Sequence, residues 1–245
     1  MVSMPRPELA PFTSSVRLWT WTLVAGLLIA LWDASSLDMT VMRLLGSAHG
    51  FTWRHDFVLE HLLHDRARQL GILLYLLLLL LCLWPLGKWS HLTREQRFTM
   101  ATGVTLALVA VNTIKRSSLT SCPWDLEEFG GMAHYVSHWN WGIADGGSGH
   151  CFPGGHASAA MAFLPLALPW WLSGNEQNRQ RGRKLFLGIL ALGVILGTVQ
   201  TLRGAHYPSH TLWTGLICWV VGFVSHELMA RLPLRARSIG MNEKS

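Results

Sequence analysis

Apolar positions in this chain come in long runs, and the polar positions collect between them. From Leu76 to Leu83 every residue is leucine except Cys82. Six runs can be marked: Val16–Trp32, Leu70–Leu86, Met100–Ile114, His156–Leu172, Leu185–Leu202 and Thr211–Ala230. About 17–20 apolar residues wound as a helix cross about 30 Å of hydrocarbon, with every internal backbone bond made within the segment. The pattern therefore predicts an all-α membrane protein with six transmembrane helices, the third being the shortest. The first run has only Arg6 and Arg17 near it and is long for a signal peptide core, so an uncleaved anchor is expected.

Between Leu37 and Arg68 the pattern changes. Val58, Leu59, Leu62, Leu63 and Leu70 recur at helical spacing, with Asp56, Glu60, His61, His64 and Asp65 between them. This spacing predicts an amphipathic helix on the outer surface that leads into the second span. Residues 1–15 carry three prolines and no periodicity, which reads as a loose tail. No internal repeat is visible, and residues 1–245 form a single domain whose motif-bearing core is about 98–230.

Composition agrees with a membrane protein. Half of the residues are hydrophobic, 14% are charged and 13 are Trp, which argues against a soluble domain. The charges then orient it. Thirteen of the 20 Lys and Arg residues fall in the two ends and the second and fourth connections. Positive-inside bias puts both termini in the cytoplasm, and the stretches around Lys115, His156 and His206 outside. A bacterial inner membrane with a periplasmic face fits this compact layout. The net charge of +6 is thus a topology signal, and no basic patch interleaved with aromatics points to nucleic acid. Oligomeric state is not readable.

The outer stretches carry the chemistry. Cys151-Phe152-Pro153-Gly154-Gly155-His156 is a turn that opens into the fourth run, where unpaired backbone N–H groups favour an anion. Lys115 and Arg116 close the third run, and Arg203 and His206 lie at the end of the fifth. Ammonium, guanidinium and backbone N–H groups are donors that phosphate oxygens take. Two imidazoles then suffice for phosphoryl transfer, one attacking phosphorus and the other protonating the departing oxygen. Cys122 and Cys151 share the long outer loop, where an oxidising compartment allows a disulfide. Cys82 and Cys218 read as packing residues. The pairs His134/His138 and His206/His210 have ligand spacing, but no nearby carboxylate or thiolate completes a zinc set, so no metal or other cofactor is expected.

Three short patterns in order give these residues a family likeness. Lys115 with Cys122-Pro123, then Pro153-Gly154-Gly155-His156, then His206 resemble the motifs KxxxxxxRP, PSGH and SRxxxxxHxxxD of the type 2 phosphatidic acid phosphatase superfamily. Cysteine stands for the first arginine and glycine for serine. Gln200 occupies the second arginine's place, with Arg203 one turn on, and His210 stands where the aspartate is expected. Asp125 or Asp145 could replace that carboxylate from the loop. The resemblance implies a metal-independent lipid phosphatase. His206 would form a phosphohistidine, His156 would be the acid, and His210 would stand behind His206. Lys115, Arg116, Arg203, Gly154 and Gly155 would hold phosphate. The substrate would be a phosphate or diphosphate monoester of a membrane lipid. Undecaprenyl diphosphate, lipid A, phosphatidylglycerol phosphate and phosphatidic acid all qualify. A lipid phosphotransferase and an inactive lipid-phosphate binder are the alternatives.

Overall fold

A computed structural model describes residues 12–231; most of the N-terminal tail and the basic stretch after Arg231 lie outside the described residues. The helices are α1 (Phe12–Ala34), α2 (Leu37–Leu45), α3 (Val58–Leu83), α4 (Arg94–Ser117), α5 (Ser158–Trp171), α6 (Glu176–Leu202) and α7 (Pro208–Arg231). Five of them, α1, α3, α4, α6 and α7, are long and apolar enough to cross a membrane. Helix α1 already begins at Phe12, so the end of the expected loose tail is helical.

The expected fourth span is not a regular helix. The segment α5 breaks into a turn of α-helix at Ser158–Met161, a 3-10 turn at Leu164–Ala167 and another α turn at Leu168–Trp171. Pro165 and Pro169 lie inside it. Proline removes a helical hydrogen bond and clashes with the preceding turn, so the apolar run cannot wind continuously. Irregular backbone at such depth is tolerated where protein surrounds it, and no residue of α5 is exposed. Met161 lies against Gly193, and Trp171 against Gly182, so α5 runs antiparallel along α6. Pro165 sits in a notch between α4 and α7: a Cβ on Gly103 would come within 2.9 Å of its Cβ, and Gly222 faces it from the other side. Leu164, Leu168, Ala107, Val111, Cys218 and Phe223 close the core around it.

The amphipathic stretch differs as well. Val58–Arg66 is a wide π-helix that runs without a break into the α-helix Ala67–Leu83, so the expected surface helix is the head of the second span. No proline or glycine separates the two patterns before Gly71, which explains the continuity. A separate short helix on that face is α2. It buries Met39 and Met42 against Phe51, Leu126, Phe129 and Tyr207, and these form a small core beneath the long loop. Helix α4 is longer than its apolar run. Thr93 and Gln96 make a reciprocal cap at its start: Gln96 N–H donates to Thr93 Oγ1 at 3.1 Å, and Thr93 N–H to Gln96 Oε1 at 2.9 Å.

Contacts sort the helix ends onto two faces. On one, Trp213 Nε1–H donates to Asp33, His64 meets His156, and Lys115 lies beside Gly155. On the other, Ser15 donates to Glu227, the end of α3 meets the start of α4 through Cys82 and Arg97, and Trp171 meets Gly182. Ser15 and Arg231 therefore emerge on the same face, opposite the histidines.

The notch around Pro165 yields a stability test. Gly222→Val would overpack it and cost about 1–3 kcal/mol, read as a lower unfolding midpoint of the protein in detergent. An unchanged midpoint would mean that α5 is not seated there.

Candidate active site

Cys151 is the hub of the site. Its sulfur is bonded to Cys122 with an S–S distance of 2.13 Å. Its N–H donates to the Thr120 carbonyl at 2.9 Å, so the turn bearing His156 is fastened to the segment that follows α4. Its carbonyl lies 3.0 Å from His210 Nδ1; a carbonyl only accepts, so His210 carries its proton on Nδ1. Its Sγ lies 3.3 Å from His206 Nδ1, which leaves His206 Nε2 as the nitrogen free for chemistry.

His206 stands in the connection between α6 and α7, 5% exposed. Ala205 N–H closes the end of α6 on the Gln200 carbonyl at 2.8 Å, and Gly204 takes a φ of +75° that a side chain would strain. Burial, then the charges of Lys115, His210 and His156, push His206 well below the ordinary imidazole range. It is a neutral imidazole with a lone pair, as a nucleophile requires. His156 is pushed down to about 3 by burial first, then by His64, Lys115, Arg68 and Arg203. An acid in this setting needs an anion beside it to hold its proton.

The two glycines divide their work. Gly154 N–H donates to the His210 carbonyl at 3.1 Å, and its own carbonyl accepts from Thr214 Oγ1 at 3.0 Å. Gly154 is therefore a seat for the turn on α7, not the free phosphate donor expected from the motif. A Cβ there would crowd the His210 carbonyl at 3.3 Å. Gly155 opens instead towards Lys115, whose Cδ and Cε lie 3.5 Å from where its Cβ would be.

The expected cations part company too. Lys115 turns inward while Arg116 is exposed, because neighbouring positions on a helix point about 100° apart, so Arg116 is not brought to the histidines. Arg203 is 4% exposed and already engaged. Its Nε donates to the Arg54 carbonyl at 3.1 Å, its Nη1 to Gln200 Oε1 at 3.3 Å, and its Nη2 lies 3.1 Å from Glu60 Oε1. Two of five guanidinium N–H groups remain for a ligand.

No carboxylate reaches His206 among the described residues. Asp145 accepts from Ser121 and from Gly147 N–H, and Asp125 accepts from Ser148 at 3.1 Å, so neither replaces the motif aspartate. His210 is fully buried, with its ring 5.9 Å from that of His206 and its Nε2 unpartnered. One acid is linked to His210 through His138, whose Nε2 lies 3.4 Å from Asp33 Oδ2 and whose ring meets that of His210 edge-on at 5.3 Å; Asp38 is taken up by Ser209. The sulfurs of Cys122 and Cys151 also cluster with His206 at ligand distances, but a disulfide offers no thiolate for a metal. Glu60, His64, Asp33 and His138 were not singled out as site residues from sequence. Glu60 and His64 were visible only as polar positions of an amphipathic pattern, His138 only for its ligand spacing with His134, and nothing in the chain order marks Asp33.

The likeness carried by the motifs can now be set beside the geometry. A family model, the PAP2 superfamily, matches residues 97–233, more than half of the chain. The chain belongs to the PAP2 superfamily. This is the type 2 phosphatidic acid phosphatase superfamily, whose members are phosphatases acting on phosphate esters. Neither the curated proteins nor the solved structures give a match. The PAP2 match takes in Lys115, the disulfide, His156, Arg203 and His206, and leaves out α1 to α3.

The suppressed imidazoles predict a pH response. Between the unfolded value of 6.5 and about 3, the unfolded chain takes up protons at His156 that the folded chain refuses. Stability is complete above about pH 6.5 and falls as pH drops through that window, the part above about pH 5 preceding the titration of carboxylates near 4. The unfolding midpoint in detergent should fall between pH 7 and pH 5, and saturating inorganic phosphate should reduce the fall. A midpoint flat across that range would contradict the neutral, buried state of these rings.

Proposed function

We propose that this protein is a lipid phosphatase working by a phosphohistidine route. The observation that carries the reading is the meeting of His206, His156 and Lys115 on one face of a membrane bundle, inside the PAP2 match. His206 Nε2 attacks phosphorus, and the bond from phosphorus to the lipid oxygen breaks. His156 gives that oxygen its proton. Water then attacks the phosphohistidine, with His156 as base, and releases inorganic phosphate. Lys115, the free Arg203 N–H groups and the N–H of Gly155 neutralise the phosphate oxygens; positioning and charge are most of what phosphoryl transfer needs.

The substrate is a phosphate or diphosphate monoester of a membrane lipid, of the undecaprenyl diphosphate, lipid A, phosphatidylglycerol phosphate or phosphatidic acid type. The bundle sits in a bacterial inner membrane with both termini cytoplasmic and the site facing the periplasm. The bias of Lys and Arg towards the face opposite the histidines supports this orientation. One observation favours a second reading: with no carboxylate on His206, the site suits a lipid-phosphate binder without turnover.

Purified protein in detergent should release phosphate from at least one lipid of that panel, with EDTA making no difference. His206→Ala should fall to background, and His156→Ala should lose about 10²–10⁴-fold in rate. Wild-type rates in His206→Ala would refute the nucleophile. Retained lipid-phosphate binding without release would establish the binder, and release only with an added acceptor lipid would mark a transferase. Trp141→Cys, on the exposed part of the long loop, should react with a membrane-impermeant thiol reagent from the periplasmic side. Reaction only after the membrane is opened would reverse the orientation.

A further inference from the structure

The head of α3 lies outside the PAP2 match, yet it touches two of the residues placed in the site. Glu60 pairs with Arg203. Four residues on, the His64 ring lies over that of His156, with centroids 3.7 Å apart and planes inclined by 30°. We propose that His64, braced by Asp65, is a positioning residue that fixes the ring of His156 over the phosphate site. The acid role of His156 rests on the phosphatase reading above; the stack does not.

His156 needs such a support. It follows two glycines and precedes a helix of a single turn, so its own backbone holds the side chain loosely. A flat neighbour at stacking distance restrains the plane of an imidazole and leaves both nitrogens free. His64 can serve because its own ring is fixed. Its Nδ1–H donates to Asp65 Oδ1 at 2.8 Å, and the other oxygen of that carboxylate lies 3.2 Å from His61 Nδ1. The Asp65 bond sets the His64 tautomer and its orientation, the same arrangement by which a carboxylate steadies an imidazole in other sites. The helix that carries them is a π-helix, Val58–Arg66, a form found mostly in short pieces and often at functional sites.

Charge gives the stack a second effect. The groups facing His156 are His64 and Arg68 from α3, Lys115 from α4, Arg203 beyond α6, and His206. None is a carboxylate. Each one that carries a proton or fixed charge adds to burial in disfavouring protonation of His156, and His64 is the one whose ring lies directly over it. Taking the imidazole away while leaving a flat ring should let His156 protonate more readily.

The full-length protein in detergent allows both effects to be read separately. His64→Phe keeps a ring in the stack and removes the titratable group, whereas His64→Ala removes both. With ¹⁵N-labelled histidine, the His156 titration should move to higher pH in His64→Phe. In turnover, His64→Ala should lose about 10²-fold in kcat, the scale of a misplaced catalytic group, with KM little changed. His64→Phe should recover most of that loss, with the basic limb of its pH–rate profile displaced upward. If His156 titrates identically in wild type and both variants, or His64→Ala turns over like wild type, the proposal is overturned. If wild type releases no phosphate, the phosphatase reading fails, and the titration alone decides the role of His64. Should His64→Ala not fold, the titration and profile of His64→Phe decide it.

Discussion

One residue ties together the three stretches that make the site. Cys151 is bonded to Cys122 beyond the end of α4, its carbonyl holds His210 at the start of α7, and its sulfur lies against His206. Without it these stretches would be joined by ring packing, His138 on Phe152 and Tyr135 on Tyr207, and by backbone hydrogen bonds, with no covalent tie. A disulfide closing a loop of 29 residues limits the unfolded chain by about 3–4 kcal/mol in the chain-entropy picture. Here the same bond also sets where the ring of His206 stands. A structural staple and a site wall are one feature.

The second constraint is electrostatic. Lys115, Arg203 and three imidazoles occupy a region where water is scarce, and the acids nearby are already engaged with Ser121, Ser148 or the indole N–H groups around Asp33. Burial keeps His206 and His156 neutral, and Glu60 answers part of the charge of Arg203. A phosphate entering this space meets buried donors, one of which, Arg203, is already paired with Glu60. The phosphate charge in turn restores to His156 the affinity for a proton that the empty site withholds.

How much of this could be read in the chain depended on whether the signal was local. The long apolar runs, the turn at Pro153–Gly155 and the motif histidines are local, and each was legible. The broken course of α5 was not, although Pro165 and Pro169 stood in view. Apolar composition says that a segment is buried, and here the burial is against protein on every side. The role assigned to Gly154 failed for a similar reason. A free N–H cannot be read from a glycine when its acceptor, the His210 carbonyl, arrives from residues far along the chain. The contacts of His64 and Glu60 were out of reach because their partners come from other motifs, and because the widened helix that aims them leaves no mark in hydrophobic periodicity.

Helix α3 leads a double life. Below its head it buries only Leu78 and Cys82, while Leu73, Leu76, Leu77, Leu80 and Leu83 face outward. It is held to its neighbours by slight means, among them Gly71 resting on Ala159 and one hydrogen bond from Tyr75 to Thr105. The wall that carries His64 is thus also the wall that rubs against the hydrocarbon chains. The crowding and thickness of the surrounding bilayer press on the same rod that carries His64, so the lipid is at once the medium of the fold and a mechanical hand on the ring that lies over His156.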